Sequence, residues 1–384
     1  MQICEKELCC GCSACEAVCP KEAVTMTADS EGFLRPVVDA ERCVDCGLCQ
    51  KKCPVNTKAP EVAKAAFAAY SKDSDIRKRS SSGGIFASLA KKIIDDGGAV
   101  FGAGFDENMK VCHYCAETEK DLYGLMGSKY VQSDMGDTYK KMAELLREGR
   151  TVLFTGSPCQ VAGARNLFGE NDRLYLMDFI CHGVPTPLIW EKYLRDNFTK
   201  VTNASFRDKN RGWEEFSMRV ESENGEYNCS RYTDPYIRMF LANVTLRPSC
   251  YSCGWKDPNF CEDITVGDFW GVSKINPAWN DNKGTSVVII RTEQGEKLLD
   301  ILKNDCFLAE TDEKKSVSSN GMYSYCTPMP DNRDVFFRML KDDAPFAELK
   351  DKFGKPLPGA EIIKVRIKNR IKMCLGAIAR LKRK

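Results

Sequence analysis

Twenty-one cysteines stand in this chain of 384 residues, and eight of them repeat one pattern twice near the N-terminus. Both copies read C-x2-C-x2-C-x3-C-P, a spacing that holds 4Fe-4S clusters and sends the fourth thiolate of each copy to the other cluster. We therefore expect two clusters, each with four ligands. The first set is Cys9, Cys12, Cys15 and Cys53, and the second is Cys43, Cys46, Cys49 and Cys19.

The spacing of these cysteines has a physical reason. Three thiolates separated by two residues each can wrap a loop around three corners of a cubane, while the fourth, followed by proline, reaches the neighbouring cluster. A tetrahedral zinc ion has no use for the third cysteine or for the trailing Cys-Pro. We predict a bacterial-type dicluster ferredoxin domain over residues 1–57, called the head below. Cys4 and Cys10 are left over, and Cys10 is interpreted as a small residue tolerated in the first loop.

A second group of cysteines indicates a further metal site. Cys250 and Cys253 form a turn-like C-x2-C, which is half of such a site. Cys159 and Cys181 each follow a predicted strand and are the best supply of two more thiolates. The spacing does not separate a third 4Fe-4S cluster from a zinc ion here, so both stay open. Cys261 is close enough in sequence to replace one ligand.

The elements that carry these cysteines alternate between strand and helix, which predicts an α/β region with a mixed sheet. Ligands of such sheets bind beyond the ends of the strands. After residue 200 the pattern becomes rich in strands, with a hairpin at Asn224 and Gly225. The predicted strands are 65–70, 99–105, 111–115, 151–155, 173–181, 264–269 and 286–291, and the helices lie within 80–98, 138–148 and 187–198.

Two short polar stretches are candidates for cofactor contacts. Gly83 and Gly84 follow three serines and open a helix, an arrangement that receives a phosphate but also serves ordinary helix capping by serine. Residues 127–133 read GSKYVQS, where Lys129 would stabilise an anionic reduced ring, although the pattern alone favours a surface loop. His182 can deliver a proton during hydride chemistry, and a structural histidine is at least as common.

Composition limits the class of protein. A net charge of +2 offers no broad basic excess for nucleic acid. The N-terminus lacks a signal-peptide apolar region and no apolar run reaches bilayer length, so we expect a reducing, cytoplasmic compartment.

Residues 361–384 carry nine Lys or Arg and one acid among apolar residues. This basic amphipathic helix predicts contact with an anionic membrane at its cytoplasmic face or with a partner; folding onto its own domain is equally compatible.

With these motifs in place, the chain resembles the coenzyme F420 hydrogenase/dehydrogenase beta-subunit family, in its form with a fused two-cluster ferredoxin head. The resemblance covers about residues 5–330 and rests on SSSGGIFASLA, GAVFGAGFD, GSKYVQS, VLFTGSPCQVAG, ICHGVPTP, FRDKNRGW, LRPSCYSC and DITVGDFWG. It implies an FAD-binding body with its own 4Fe-4S cluster, which we place at residues 58–345. The basic tail, which we place at 346–384, lies outside the resemblance. The resemblance also implies flavin contacts and cluster contacts. The former are Ser82, Gly83, Gly84, Ser128, Lys129 and Tyr130, and the latter are Cys159, Cys181, Cys250 and Cys253.

The predicted fold class is therefore an α/β flavoprotein body, α+β with a mixed sheet, behind a dicluster ferredoxin domain. The predicted function is an iron-sulfur flavoprotein oxidoreductase that passes electrons between 4Fe-4S clusters and FAD. Hydride would pass to or from a small molecule such as coenzyme F420, with Lys129 and His182 as the catalytic side chains. Electrons would be exchanged with a redox partner protein or ferredoxin in either direction. The alternative is a non-catalytic electron-transfer subunit that docks on a larger redox complex and has no small-molecule site.

Overall fold

The computed structural model describes residues 1–56 and 62–381, so the predicted boundary between head and body lies outside the described residues. In these residues the chain forms three sheets. The strands are β1 Val24–Ala28, β2 Leu34–Val38, β3 Ala65–Ser71, β4 Ala99–Phe105, β5 Val111–Ala116, β6 Val152–Thr155, β7 Leu174–Phe179, β8 Asn203–Asp208, β9 Ser217–Ser222, β10 Gly225–Ser230, β11 Ile264–Asp268, β12 Ser286–Ile290 and β13 Cys306–Thr311.

Helices connect these strands and follow them at the C-terminal end. None of the described helices combines the length and the apolar character that crossing a bilayer requires. The helices are α1 Ala14–Ala17, α2 Leu48–Lys51, α3 Ser74–Arg79, α4 Ile85–Asp95, α5 Glu119–Leu125, α6 Thr138–Arg147, α7 Pro158–Phe168, α8 Pro187–Asn197, α9 Pro235–Leu241, α10 Val272–Ile275, α11 Glu293–Asp305, α12 Glu313–Val317, α13 Arg333–Lys341, α14 Phe346–Phe353 and α15 Gly359–Leu381.

The body is built on an eight-stranded sheet in the order β13-β3-β12-β11-β7-β6-β4-β5. Its middle strands β4, β6, β7 and β11 are parallel, and the flanking pairs are antiparallel. This confirms the predicted mixed sheet. The carboxyl ends of the four parallel strands meet at one edge, where chains of this architecture bind ligands.

Both faces of this sheet are covered, which explains why its strands read as apolar runs. Neighbouring residues of a strand point to opposite faces. Val100 and Leu153 accordingly pack with Leu89 of α4 on one face. On the other face, Phe101 and Phe154 pack in a separate core with residues of α6 and α7.

The helix predicted within residues 80–98 forms as α4, but the serines do not cap it. Gly84 occupies the N-cap in a left-handed conformation with φ of 89°, and no side chain accepts a hydrogen bond there. The prediction of a serine cap was therefore wrong. The serines are used in contacts with other segments, as described below.

The head is joined to the body through the turn of its β1–β2 hairpin. Phe33 is fully buried in the same apolar core as Phe337 of α13. Beside it, Glu31 forms an ion pair with the buried Arg333 at 2.6 Å. The head thus contributes a side chain to the core of the body.

The remaining segments complete the body. Strands β8 to β10 form the antiparallel sheet that contains the predicted hairpin. Helix α14 packs Phe346 and Phe353 into the same core as Phe33, although it belongs to the predicted tail. The described part of the basic segment is helical, as predicted, and forms α15.

Candidate redox site

The first cysteine set surrounds a cavity of the head. Cys9, Cys12, Cys15 and Cys53 line this cavity, which measures about 300 Å³ including its open mouth. The loop between Cys9 and Cys12 turns at Gly11 with φ of 67°, where a Cβ atom would lie 2.6 Å from the side chain of Arg247. Cys4 and Cys10 also line it. The four signature thiols are the donor set of a 4Fe-4S cluster, so these residues fit the group.

The second cysteine set surrounds the other cavity of the head. Cys43, Cys46 and Cys49 line it together with Cys19, in a volume of about 350 Å³. The fourth cysteine of each sequence copy is therefore next to the first three of the other copy. This crossed grouping is the one that the spacing predicts. The assignment of individual cysteines to each cluster stays a prediction.

A third cavity lies at the edge of the sheet where the parallel strands end. It measures about 780 Å³ including its mouth and is lined by Cys159, Cys181, Cys250 and Cys253. Cys159 is the second residue of α7, directly beyond β6, and Cys181 follows β7 by two residues. The structure thus brings the four predicted cysteines together from three segments. Whether they bind a cluster or zinc stays open from this grouping.

The electrostatics of the third cavity suit an anionic group. Burial raises the pKa of Cys250 to about 12 and that of Cys253 to about 11, so these thiols hold their protons. Ligation requires thiolates and would release those protons. Compensating positive charge is present, because the buried Arg247 and Lys256 line the cavity. The N-terminus of α7 adds its dipole at Cys159.

Other cysteines are placed outside these groups. Cys261 is buried in the same apolar core as Trp255 and is not among the described residues that line the third cavity. No disulfide bond joins the cysteines that the structure describes. Within residues 1–56 and 62–381, no three His, Cys, Asp or Glu side chains converge closely enough to hold a single metal ion.

Cys10 has a position that the sequence did not indicate. It lines the first cavity and also the third cavity, so its side chain belongs to the wall between them. A hydrogen bond with Cys12 raises its pKa well above the usual value, opposed by a hydrogen bond with Cys159. The interpretation of Cys10 as a merely tolerated residue misses this contact, because only the docking of head on body creates it.

Arg247 is the second residue that the sequence did not single out. It is fully buried and donates from Nε to the carbonyl oxygen of Cys9 at 2.7 Å. Its other nitrogens donate to Gln132 and to the carbonyl oxygen of Leu34, both at 2.8 Å, and Nη2 lies 3.6 Å from Cys9 Sγ. Arg247 therefore joins the third cavity to the first.

The two stretches that the resemblance assigns to flavin contacts meet in the fold. The backbone N–H of Ser128 donates to Ser81 Oγ at 2.7 Å. Arg207, which pairs with Asp268 at the end of β11, also donates to the hydroxyl of Tyr130 and to the carbonyl oxygen of Ser81. Segments 47 residues apart are thus held as one surface.

The two glycines of the first stretch differ in role. The N–H of Gly83 donates to Ser286 Oγ at 3.0 Å, and a Cβ at this position would lie 2.5 Å from the carbonyl oxygen of Ala69. This N–H does not point outward, which corrects the expectation that both glycines present their N–H groups to a phosphate. Gly84 keeps that arrangement, because no side chain caps the helix there. Ser82 donates to the carbonyl oxygen of Thr285 at 3.1 Å.

The predicted catalytic side chains are both engaged by the protein. Lys129 Nζ donates to the carbonyl oxygens of Gly124 and Met126 at 2.9 and 3.0 Å, and burial lowers its pKa to about 7. His182 lines the third cavity, and its Nε2 lies 2.8 Å from Asn243 Oδ1. Burial also lowers the pKa of His182. Their catalytic roles stay predictions.

Aromatic rings connect the third cavity with the flavin-assigned surface. The ring of His182 lies 4.8 Å from that of Phe240, and Phe240 stacks on Tyr130 at 4.5 Å. Tyr130 in turn bonds Arg207 at 3.2 Å. The two parts of the site are therefore joined by contiguous side chains.

Three stretches of the chain match known protein families. Residues 66–140 and 149–315 match the N-terminal and C-terminal models of the coenzyme F420 hydrogenase/dehydrogenase beta subunit. Residues 8–57 match a 4Fe-4S dicluster domain. One component of the F(420)H(2) dehydrogenase of Methanosarcina mazei is 25% identical over 332 residues, or 80% of this chain and 86% of that protein.

A chain of the F420-reducing NiFe hydrogenase complex from Methanosarcina barkeri aligns with a TM-score of 0.47 and 17% identity. The alignment covers 78% of this chain and 97% of that chain.

Proposed function

The chain belongs to the coenzyme F420 hydrogenase/dehydrogenase beta-subunit family, and we propose that it is an FAD-dependent iron-sulfur oxidoreductase. In this proposal electrons pass between 4Fe-4S clusters and FAD, and a hydride is exchanged with a small molecule such as coenzyme F420. The observation that carries the proposal is the wall shared at Cys10 by the first and third cavities. Redox groups in these cavities would be neighbours.

The residues that would hold each group follow from the cavities. The head would hold two clusters through its eight signature cysteines, and the third cavity would hold one through Cys159, Cys181, Cys250 and Cys253. When bound, the clusters supply single-electron transfer and FAD converts between one-electron steps and hydride transfer.

Support for FAD comes from the chemistry of the surface formed by Ser128 and the 80–84 turn. The first turn of α4 has no side-chain cap, so its backbone N–H groups can receive a phosphate. Arg207 and the nearby Arg231 supply positive charge, and the Nε atoms of both are buried without a hydrogen-bond partner. Donors left open in this way favour an anionic ligand.

The protein side chains have separate tasks in this mechanism. Arg247 fixes the Cys9 loop against the body and lowers the energy of negative charge on Cys9 Sγ. Lys256 Nζ donates to the carbonyl oxygen of Cys181 at 2.7 Å. Its charge lowers the energy of negative charge in the third cavity. His182, which burial keeps neutral, is bonded to Asn243, and its ring contacts Phe240, which stacks on Tyr130.

The test is a count of cofactors after reconstitution without oxygen. We expect about twelve irons, about twelve acid-labile sulfides and one FAD per chain, with no zinc. Cys250→Ser should reduce the iron to about eight. The matched control is Cys374→Ser on α15, which is exposed and should leave about twelve. About eight irons with zinc in the unmodified chain would contradict the third cluster.

A second function is suggested by the relative from Methanosarcina mazei, because that protein is one subunit of a dehydrogenase. This chain would then be an electron-transfer subunit that docks on a larger redox complex and lacks its own small-molecule site. Incubating the reduced, isolated protein with coenzyme F420 separates the two. Hydride transfer to F420, seen by its absorbance, supports the oxidoreductase, whereas reduced clusters with no F420 turnover support the docking subunit.

A further inference from the structure

Helix α15 is attached to the body by its polar side. Arg366 pairs with Glu215 at 2.6 Å and Lys372 pairs with Glu214 at 2.9 Å. Between them and the C-terminal end, Gly376 packs so closely that a Cβ there would lie 2.7 Å from the carbonyl oxygen of Asn280. These contacts fix the rotation of the helix about its axis.

The opposite side of α15 is apolar and faces away from the protein. Six large apolar side chains form this side. At about 100° of rotation per residue they fall within an arc of roughly 120°, and the centre of the arc is roughly 170° from Gly376. More than half of each side chain is exposed. They are Ile363 (58%), Ile367 (53%), Ile371 (56%), Leu375 (53%), Ile378 (52%) and Leu381 (72%). We call this set the apolar stripe.

Positive charges border the apolar stripe on both sides. By the same rotation per residue, Lys368 lies along one border with Lys364 just inside it, and Arg370 lies along the other border. In the described chain none of these three side chains forms an ion pair. Glu361 is the one acid of the helix. The charges used to attach the helix are therefore different from those beside the stripe.

We propose that α15 docks the protein on an anionic membrane surface, with the apolar stripe in the lipid boundary. Large apolar side chains left in water over about 27 Å of helix call for a covering surface. Unpaired cations on both borders match anionic headgroups, and their long stems reach outward while the stripe is immersed. A protein partner would need acidic patches on both sides of one apolar groove, whereas an anionic bilayer supplies both properties everywhere.

The test uses the full chain with phosphatidylcholine vesicles, made with or without phosphatidylglycerol, and measures co-sedimentation. We expect binding to the anionic vesicles only, weakened by salt. Lys364→Gln and Lys368→Gln should each weaken binding about fivefold, since a cation at the surface contributes about 1 kcal/mol. Ile367→Asn with Ile371→Asn should weaken it at least about tenfold. Both isoleucines are exposed, so folding should be retained, which circular dichroism checks.

The matched control is Val37→Asn with Val62→Asn, the same kind of change at two exposed apolar residues outside the tail. It should leave vesicle binding unchanged. Equal binding to neutral vesicles, no binding at all, or binding unaffected by the Ile367 and Ile371 changes would each overturn the proposal. So would a dimer in size-exclusion chromatography that these changes dissociate while vesicles fail to bind.

Discussion

Replacing Arg247 by methionine tests whether this side chain sets the redox properties of the first cavity. Its Nη2 lies 3.6 Å from Cys9 Sγ, and both side chains are buried. At an effective dielectric constant of about 20, a unit charge about 4 Å away contributes about 4 kcal/mol. In a one-electron step, about 1.4 kcal/mol corresponds to 59 mV of reduction potential. Removing the charge should therefore lower the reduction potential by up to about 170 mV. Arg247→Lys should lower it less.

The assay is a redox titration of the reconstituted full-length protein, followed by electron paramagnetic resonance. One of the clusters should shift to a lower potential in Arg247→Met, and the others should move little. Arg333→Met is the matched control, because Arg333 also anchors the head but bonds Glu31 and the carbonyl oxygen of Leu246 rather than a cysteine. If both variants shift the potential equally, or neither does, the charge of Arg247 has no direct effect and the reasoning fails.

Three further predictions concern the described site and its supports. Cys10→Ser should leave iron at about twelve per chain, because Cys10 is assigned no cluster, and a loss of about four irons would make it a ligand. Gly83→Ala should destabilise the protein by about 1–3 kcal/mol in urea unfolding, since the new Cβ would lie 2.5 Å from the carbonyl oxygen of Ala69. Gly321→Ala, where a Cβ meets nothing within 4 Å, should be near neutral, and equal effects would refute the clash. Burial lowers the pKa of Lys129 from 10.5 to about 7, so the unfolded chain binds more protons above pH 7 and the lysine's contribution to stability should rise from about pH 7 to 10. The unfolding midpoint of Lys129→Met should lack that rise, and identical pH profiles would show that Lys129 is not desolvated.

Local patterns in the sequence predicted most of the elements that build the site. The strand pattern over 99–105 predicts a strand, and in the structure its side chains alternate between two apolar cores. The turn residues Asn224 and Gly225 predict the hairpin that the structure contains. The crossed grouping of the eight head cysteines follows from their spacing. The first three cysteines of each copy surround one cavity, and the fourth lines the cavity of the other copy. These features depend on contacts that are close in sequence.

The missed features depend on contacts between distant segments. Arg247 meets Cys9 across 238 residues of sequence, and no periodicity or motif records that distance. Cys10 borders the third cavity only because α7 packs on the head loop. The serines before α4 have the composition of a cap, but Ser81 instead accepts a hydrogen bond from Ser128, and Gly84 takes the N-cap. Tertiary hydrogen bonds outweighed a local preference there.

The buried Phe33 limits how this architecture can be divided or recombined. A protein cut before residue 58 would lose a ring from the core that contains Phe337 and leave Arg333 without its carboxylate partner. Leaving such a buried cation unpaired costs about 3–5 kcal/mol. A foreign ferredoxin fused in place of the head would restore function only if its hairpin supplied an aromatic ring and an acid at these two positions. Gain and loss of the head in evolution should therefore be accompanied by changes in α13.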